Sequence, residues 1–163
     1  MTSNSLNLLD LLVPEAIALN IRATSAEEVI RCLAEALLKG GYVRESFADA
    51  ALAREAKLPT GLRLAGDVHA AIPHTDIEHV LRPAVGLATL TEPVIFQNMI
   101  DPTDAIPVRL VFLLALEQPK SQVEMLQQVA TILQNPQVVH DLVSAQSLEA
   151  VRQALAQVIT TQS

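Results

Sequence analysis

Apolar and polar positions alternate along the chain with two distinct periods. Val29, Cys32, Leu33, Ala36 and Leu37 recur at i, i+3, i+4, i+7 and i+8, the stripe of an amphipathic helix. Ser25 with Glu28 three residues on is a capping-box pattern, and Gly40-Gly41 supplies the stop. A second helix is expected over about 44–57, with Phe47, Ala50, Ala51 and Leu58 as its apolar stripe. Arg54 interrupts that stripe. A guanidinium on a buried face wants a partner, unless its stem packs and its head snorkels to water.

Shorter runs read as strands. Residues 6–12 are apolar and end at Pro14, and Ala16 to Ile21 alternate as an edge strand. The run Val68 to Ile72 stops at Pro73, which lacks an N–H and forces Ile72 to be extended, so a strand ends there with His74 just beyond it. Asp76 to Leu81 forms one helical turn with Asp76 as N-cap, and Pro83 closes it. Ala84 to Leu90 is expected as a buried strand and Val94 to Phe96 as a short one. Asp101 and Asp104 are turn-formers in the loop from Met99 to Ile106. The segment Val108 to Leu116 is apolar on both faces apart from Arg109, which marks a central strand with helices above and below.

Three helices should follow. Pro119 and Ser121 open the first, with Ser121-x-x-Glu124 as a second capping box and Gln122, Leu126, Val129 and Leu133 as the stripe. Pro136 starts a short one through Val143, carrying His140. Ser147 caps the last, with Leu148, Val151, Leu155 and Val158 facing inward. With neither repeat nor linker, residues 1–163 read as a single α/β domain.

Composition narrows the function classes. Half the residues are apolar and 18% are charged, which excludes disorder. A net charge of −7 with three Phe, one Tyr and no Trp leaves neither a basic stripe nor a base-stacking set, so nucleic acid is not an expected partner. The lone Cys32 cannot form an internal disulfide and reads as a small core residue in a reducing compartment. The first residues lack a signal-peptide pattern. Apolar runs such as Leu110 to Leu116 fall far short of the ~20 residues that span a bilayer, so no membrane insertion and a cytoplasmic localisation are expected.

Three polar residues stand where structure alone would not put them: His74 at a strand end, Arg54 in one helical stripe and Gln122 in another. Near pH 7 an ordinary imidazole, with a pKa of about 6.5, offers a neutral nucleophilic nitrogen. An arginine and a helix N-terminus both attract anions. Converging on His74, they would suit a histidine that carries a phosphoryl group, with charge-assisted contacts worth roughly 1.5–3 kcal/mol each.

Arg54-Glu55, Pro59-Thr60-Gly61 and Ala71-Ile72-Pro73-His74, taken together, resemble the enzyme IIA component of the phosphoenolpyruvate-dependent sugar phosphotransferase system, mannitol/fructose superfamily. Pro73-His74-Thr75-Asp76, Glu78-His79-Val80, Phe96-x-x-Met99 and Gln122-Val123-Glu124-x-Leu126 are most similar to galactitol-type members. The resemblance spans about Ala16 to Leu155. It implies a three-layer sandwich, a mixed β-sheet with helices on both faces. It implies that His74 accepts a phosphoryl group from the histidine-containing phosphocarrier protein and passes it to a cysteine of enzyme IIB, which works with the membrane enzyme IIC. By the same resemblance Arg54 is the matching arginine, and no cofactor or metal is needed. Mannitol- and fructose-type members carry a second histidine where this chain has Gln122, which can donate a hydrogen bond but cannot move a proton.

The mechanism expected is in-line attack by one ring nitrogen of His74, the other being fixed by a backbone carbonyl. Arg54, Thr60 and Gln122 would then meet the phosphoryl oxygens. His69 reads as a hydrogen-bonded sheet residue, His79 as a surface residue and His140 as structural. The spacing of His69, His74, Asp76 and His79 fits no zinc pattern, and helix capping is the better role for Asp76. Two other readings stay open: a nitrogen-type regulatory phosphoprotein of the same fold, and a non-catalytic oligomerisation domain.

Overall fold

The computed structural model describes residues 6–159. It contains one five-stranded mixed sheet of order β1-β4-β5-β3-β2. The strands are β1 (Leu12–Ile21), β2 (Gly61–Leu62), β3 (His69–Ala71), β4 (Ala84–Gln97) and β5 (Ala105–Ala115). β4 and β5 form a long antiparallel hairpin, while β1 runs parallel to β4 and β3 parallel to β5.

Side chains alternate across β4 and β5 and feed two cores. Val85, Leu87, Leu110, Phe112 and Leu114 pack on one face beneath α1 (Leu8–Leu11), α4 (Pro119–Leu133), α5 (Pro136–Ser144) and α6 (Leu148–Ile159). Ala88, Leu90, Val111 and Leu113 pack on the other, beneath α2 (Ala26–Lys39) and α3 (Phe47–Lys57). The three layers follow from a central strand that is apolar on both faces. Arg109, its exception, is half-buried and donates from Nε to the Leu90 carbonyl.

Several boundaries differ from those the pattern predicts. Pro14 lies inside β1 rather than ending a run. An edge strand with a register irregularity between Leu12 and Ile17 does not need its missing N–H. The segments 84–90 and 94–96 are one strand, irregular between Thr89 and Val94. α3 begins at Phe47, and Leu58, just past its end, is exposed. Ser121 does not cap α4: Gln118 holds the N-cap position, Pro119 starts the helix, and Glu124 accepts from the Leu6 N–H instead. Ser25 and Ser147 do accept as predicted, from the Glu28 and Ala150 N–H groups.

Cys32 is exposed, not core. α2 buries Val29, Ile30, Leu33, Ala34 and Leu37, a face centred on Leu33 that turns residue 32 outward. No helix among the described residues is long and apolar enough to cross a membrane.

Candidate functional site

The chain leaves β3 through Ile72 and Pro73 at the end of the sheet where the parallel strand β5 also finishes. It does not depart from the sheet at the proline: the Leu114 N–H donates to the Pro73 carbonyl at 3.0 Å, and His74 bridges to Leu114. The backbone on both sides of the histidine is therefore tied to the central strand. α4 starts four residues after β5, so its first turn lies at this same sheet end, the usual place for ligands in α/β folds.

His74 is buried, with 8% of its surface exposed. Its Nδ1 lies 2.9 Å from the Ile72 carbonyl oxygen. A carbonyl can only accept, so the proton sits on Nδ1 and the lone pair of the neutral ring on Nε2. Nε2 has no hydrogen-bond partner among the described residues. Burial pushes the His74 pKa below its ordinary value; the Ile72 contact opposes this, the Arg54 charge adds to it, and Asp76 opposes it. The neutral ring is thus the resting form at pH 7.

Arg54, in the last turn of α3, reaches this segment from one helical layer. Its Nη1 pairs with Asp76 Oδ1 at 3.4 Å. Its Nε is buried with no hydrogen-bond partner, the one such side-chain atom among the described residues. A buried N–H of a cation aimed at nothing is an open invitation to an anion. Asp76 departs from the predicted capping role: its side chain makes no cap bond on the 3₁₀ turn Ile77–His79 and turns to Arg54 instead.

Gln122 reaches the segment from the opposite layer, donating from Nε2 to the Thr75 carbonyl at 3.0 Å. Thr60 is buried behind Ile72. Its N–H and Oγ1–H donate to the two carboxylate oxygens of Glu55, both at 2.8 Å. Its Oγ1 accepts from the Ile72 N–H at 3.2 Å. The hydroxyl proton is therefore already committed, and Thr60 has none to offer a phosphoryl oxygen. Glu55 enters the sequence reading only as part of the Arg54-Glu55 motif; its contact with Thr60, five residues on, is a finding of the structure.

The remaining candidates fall elsewhere. His69 Nδ1 accepts from the Leu64 N–H at 2.9 Å, the sheet role expected of it. His79 Nδ1 meets the Ser46 hydroxyl. His140 is exposed on α5 rather than structural. Asp101 caps its turn by accepting from Thr103, whereas Asp104 holds Arg63 and Asn98. No group of three or more His, Cys, Asp or Glu among the described residues is arranged to hold a metal.

Residues 10–158 match the family described as "Phosphoenolpyruvate-dependent sugar phosphotransferase system, EIIA 2". The chain belongs to this family. Galactitol-specific EIIA components of Escherichia coli are 36% identical to this EIIA over 118 residues, 72% of its length and 77% of theirs. The fructose-specific EIIABC component of Bacillus subtilis is 29% identical over 146 residues, 87% of this chain and 22% of that one. The Escherichia coli mannitol enzyme IIA, solved in complex with phosphorylated enzyme IIB, is 31% identical and superposes with a TM-score of 0.72 over 90% of this EIIA and 99% of that chain. Members of this family are phosphotransferases that work through a phosphohistidine, and the three-layer mixed-sheet fold is the one their structures share.

Proposed function

We propose that His74 is the phosphoacceptor of this EIIA, that it takes its phosphoryl group from the histidine-containing phosphocarrier protein, and that it passes the group to a cysteine of an enzyme IIB acting with a membrane enzyme IIC in uptake of a sugar or a galactitol-like sugar alcohol. The observation that carries this reading is a His74 ring whose Nδ1 is held by the Ile72 carbonyl and whose Nε2 is left without a partner, within reach of the Arg54 charge. The identity to galactitol-specific components supports the substrate class.

The chemistry follows from the tautomer. The Nε2 lone pair attacks phosphorus in line with the departing nitrogen of the donor. The new N–P bond forms as the donor's N–P bond breaks, and the donor imidazole keeps that electron pair. The ring then carries positive charge, and its Nδ1–H stays on the Ile72 carbonyl. The Arg54 guanidinium brings its positive charge to the phosphoryl oxygens, and Gln122 has a second amide proton to offer. Thr60 contributes by holding Ile72 in place. In the second half-reaction a thiolate attacks phosphorus, the P–S bond forms, the P–N bond breaks, and His74 returns to neutrality. No protonation step is required of the ring, so a second histidine at position 122 can be dispensed with. Most of the rate enhancement is positioning and charge stabilisation.

Incubation with the phosphocarrier, its upstream kinase and labelled phosphoenolpyruvate tests the assignment. The parent chain should label and His74→Ala should not. Equal labelling of His74→Ala would overturn it. Labelling of His74 without onward transfer to any IIB partner would move the reading to a regulatory phosphoprotein.

A further inference from the structure

Behind the histidine, hydrogen bonds on both sides of Ile72 link the ring through that residue's backbone to a carboxylate. Glu55 Oε1 and Oε2 accept from the Thr60 hydroxyl and N–H, Thr60 Oγ1 accepts from the Ile72 N–H, and the Ile72 carbonyl accepts from His74 Nδ1. The Ile72 N–H also donates to the Thr60 carbonyl at 3.3 Å. Ile72 is thus gripped at its N–H by Thr60 and presents its carbonyl to the ring. Pro73 follows with a fixed φ, so little freedom remains between the two ends.

Glu55 belongs to α3, immediately after Arg54, whereas Thr60 belongs to the turn that leads into β2. The carboxylate therefore staples the helix bearing the arginine to the strand edge bearing the histidine. Its location is costly in isolation: burial raises its pKa, and the two Thr60 donors offset this. Gly61 reinforces the geometry, since a Cβ there would stand 2.6 Å from the Gln97 carbonyl oxygen. The Gly61 backbone is thus held close against the end of β4, which fixes the start of β2 next to Thr60.

We infer that Glu55 is a positioning residue for phosphoryl transfer: through Thr60 and Ile72 it holds His74 in the Nδ1–H tautomer, with Nε2 bare and aligned beside Arg54. The inference rests on His74 being the phosphoacceptor, but its primary readout does not. Without the carboxylate, Thr60 Oγ1 is free to rotate, the Ile72 backbone gains play, and the carbonyl no longer selects one tautomer. A misplacement of about 1 Å at a reacting centre is enough to slow a reaction on the order of a hundredfold.

The test is nitrogen-15 NMR of the His74 imidazole in the parent, Glu55→Ala and Glu55→Gln chains, with the phosphoryl-transfer rate measured in parallel. In the parent the ring should be a single Nδ1–H tautomer. In Glu55→Ala it should become a mixture, and transfer should slow on the order of tenfold to a hundredfold. Glu55→Gln keeps one acceptor and should lie between. Unchanged tautomer and unchanged rate in a folded Glu55→Ala chain would overturn the inference. If Glu55→Ala does not fold, Thr60→Val removes the hydroxyl with its shape kept and carries the same test: a single Nδ1–H tautomer there overturns it equally. Because the tautomer is read on the unphosphorylated protein, failure here is distinct from failure of His74 to accept phosphate.

Discussion

Replacing Arg54 by methionine should push stability and function in opposite directions. The Arg54 Nε is buried without a partner, and an orphaned polar group of this kind costs about 1–3 kcal/mol, more for a charged one. The compensating ion pair is weak. At 3.4 Å, with 34% and 67% of the Arg54 and Asp76 side chains exposed, it contributes about 0–1 kcal/mol after screening. Methionine keeps an unbranched stem of similar length and removes the orphan. The net expectation is a gain of about 1 kcal/mol, a rise in Tm of about 2–4 °C for a domain of this size. Transfer should fall, because a charge-assisted contact of about 1.5–3 kcal/mol is lost where charge accumulates, which is roughly a ten- to hundredfold drop in rate. Denaturant unfolding and the transfer rate from the labelled phosphocarrier would be measured on the same preparation. A destabilised Arg54→Met chain would show that Nε is satisfied in solution. An unchanged rate would show that the guanidinium does not face the phosphoryl group.

Other consequences are more direct. The His74 pKa lies below its ordinary value of 6.5 in the folded chain, chiefly through burial. The unfolded chain therefore binds the proton more tightly, and the stabilising contribution, complete above 6.5, is lost as pH falls toward the folded value; NMR titration of the ring should give an inflection below 6.5, and one above it would contradict the account. Cys32, exposed and with its thiol pKa raised by partial burial and by Glu35 and Glu28, should react with a thiol reagent in the native state, slowly at neutral pH; Cys32→Ser should leave stability within about 0.5 kcal/mol. Gly61→Ala must push a methyl against the Gln97 carbonyl, and denaturant unfolding should register a loss of about 1–3 kcal/mol.

Much of this architecture is legible in the chain. The continuous apolar run in β5 gives away a sheet covered on both faces, and Pro73 before His74 places the imidazole at a strand end. Arg54 and Gln122 stand out because each breaks a helical stripe, and the structure brings both to residues 75 and 76. What the pattern hides is partnership. Nothing in the periodicity tells Asp76 as a cap from Asp76 as the counter-ion of an arginine 22 residues earlier. Glu55 belongs to a recognisable motif, yet nothing local ties it to Thr60 until the Pro59-Thr60-Gly61 turn folds back onto it. Cys32 shows a further limit: a stripe five residues wide fits two neighbouring faces, and only packing against the sheet chooses between them. In each case the deciding contact is long-range, whereas the pattern is local.

The claim on which the rest depends is that a neutral His74, with its proton held on Nδ1 by Ile72, takes the phosphoryl group on Nε2. Nitrogen–phosphorus coupling in the isotopically labelled, phosphorylated chain locates that bond directly. The account predicts one phosphate, coupled to His74 Nε2. A phosphate on Nδ1, or on any of His69, His79 and His140, would contradict it.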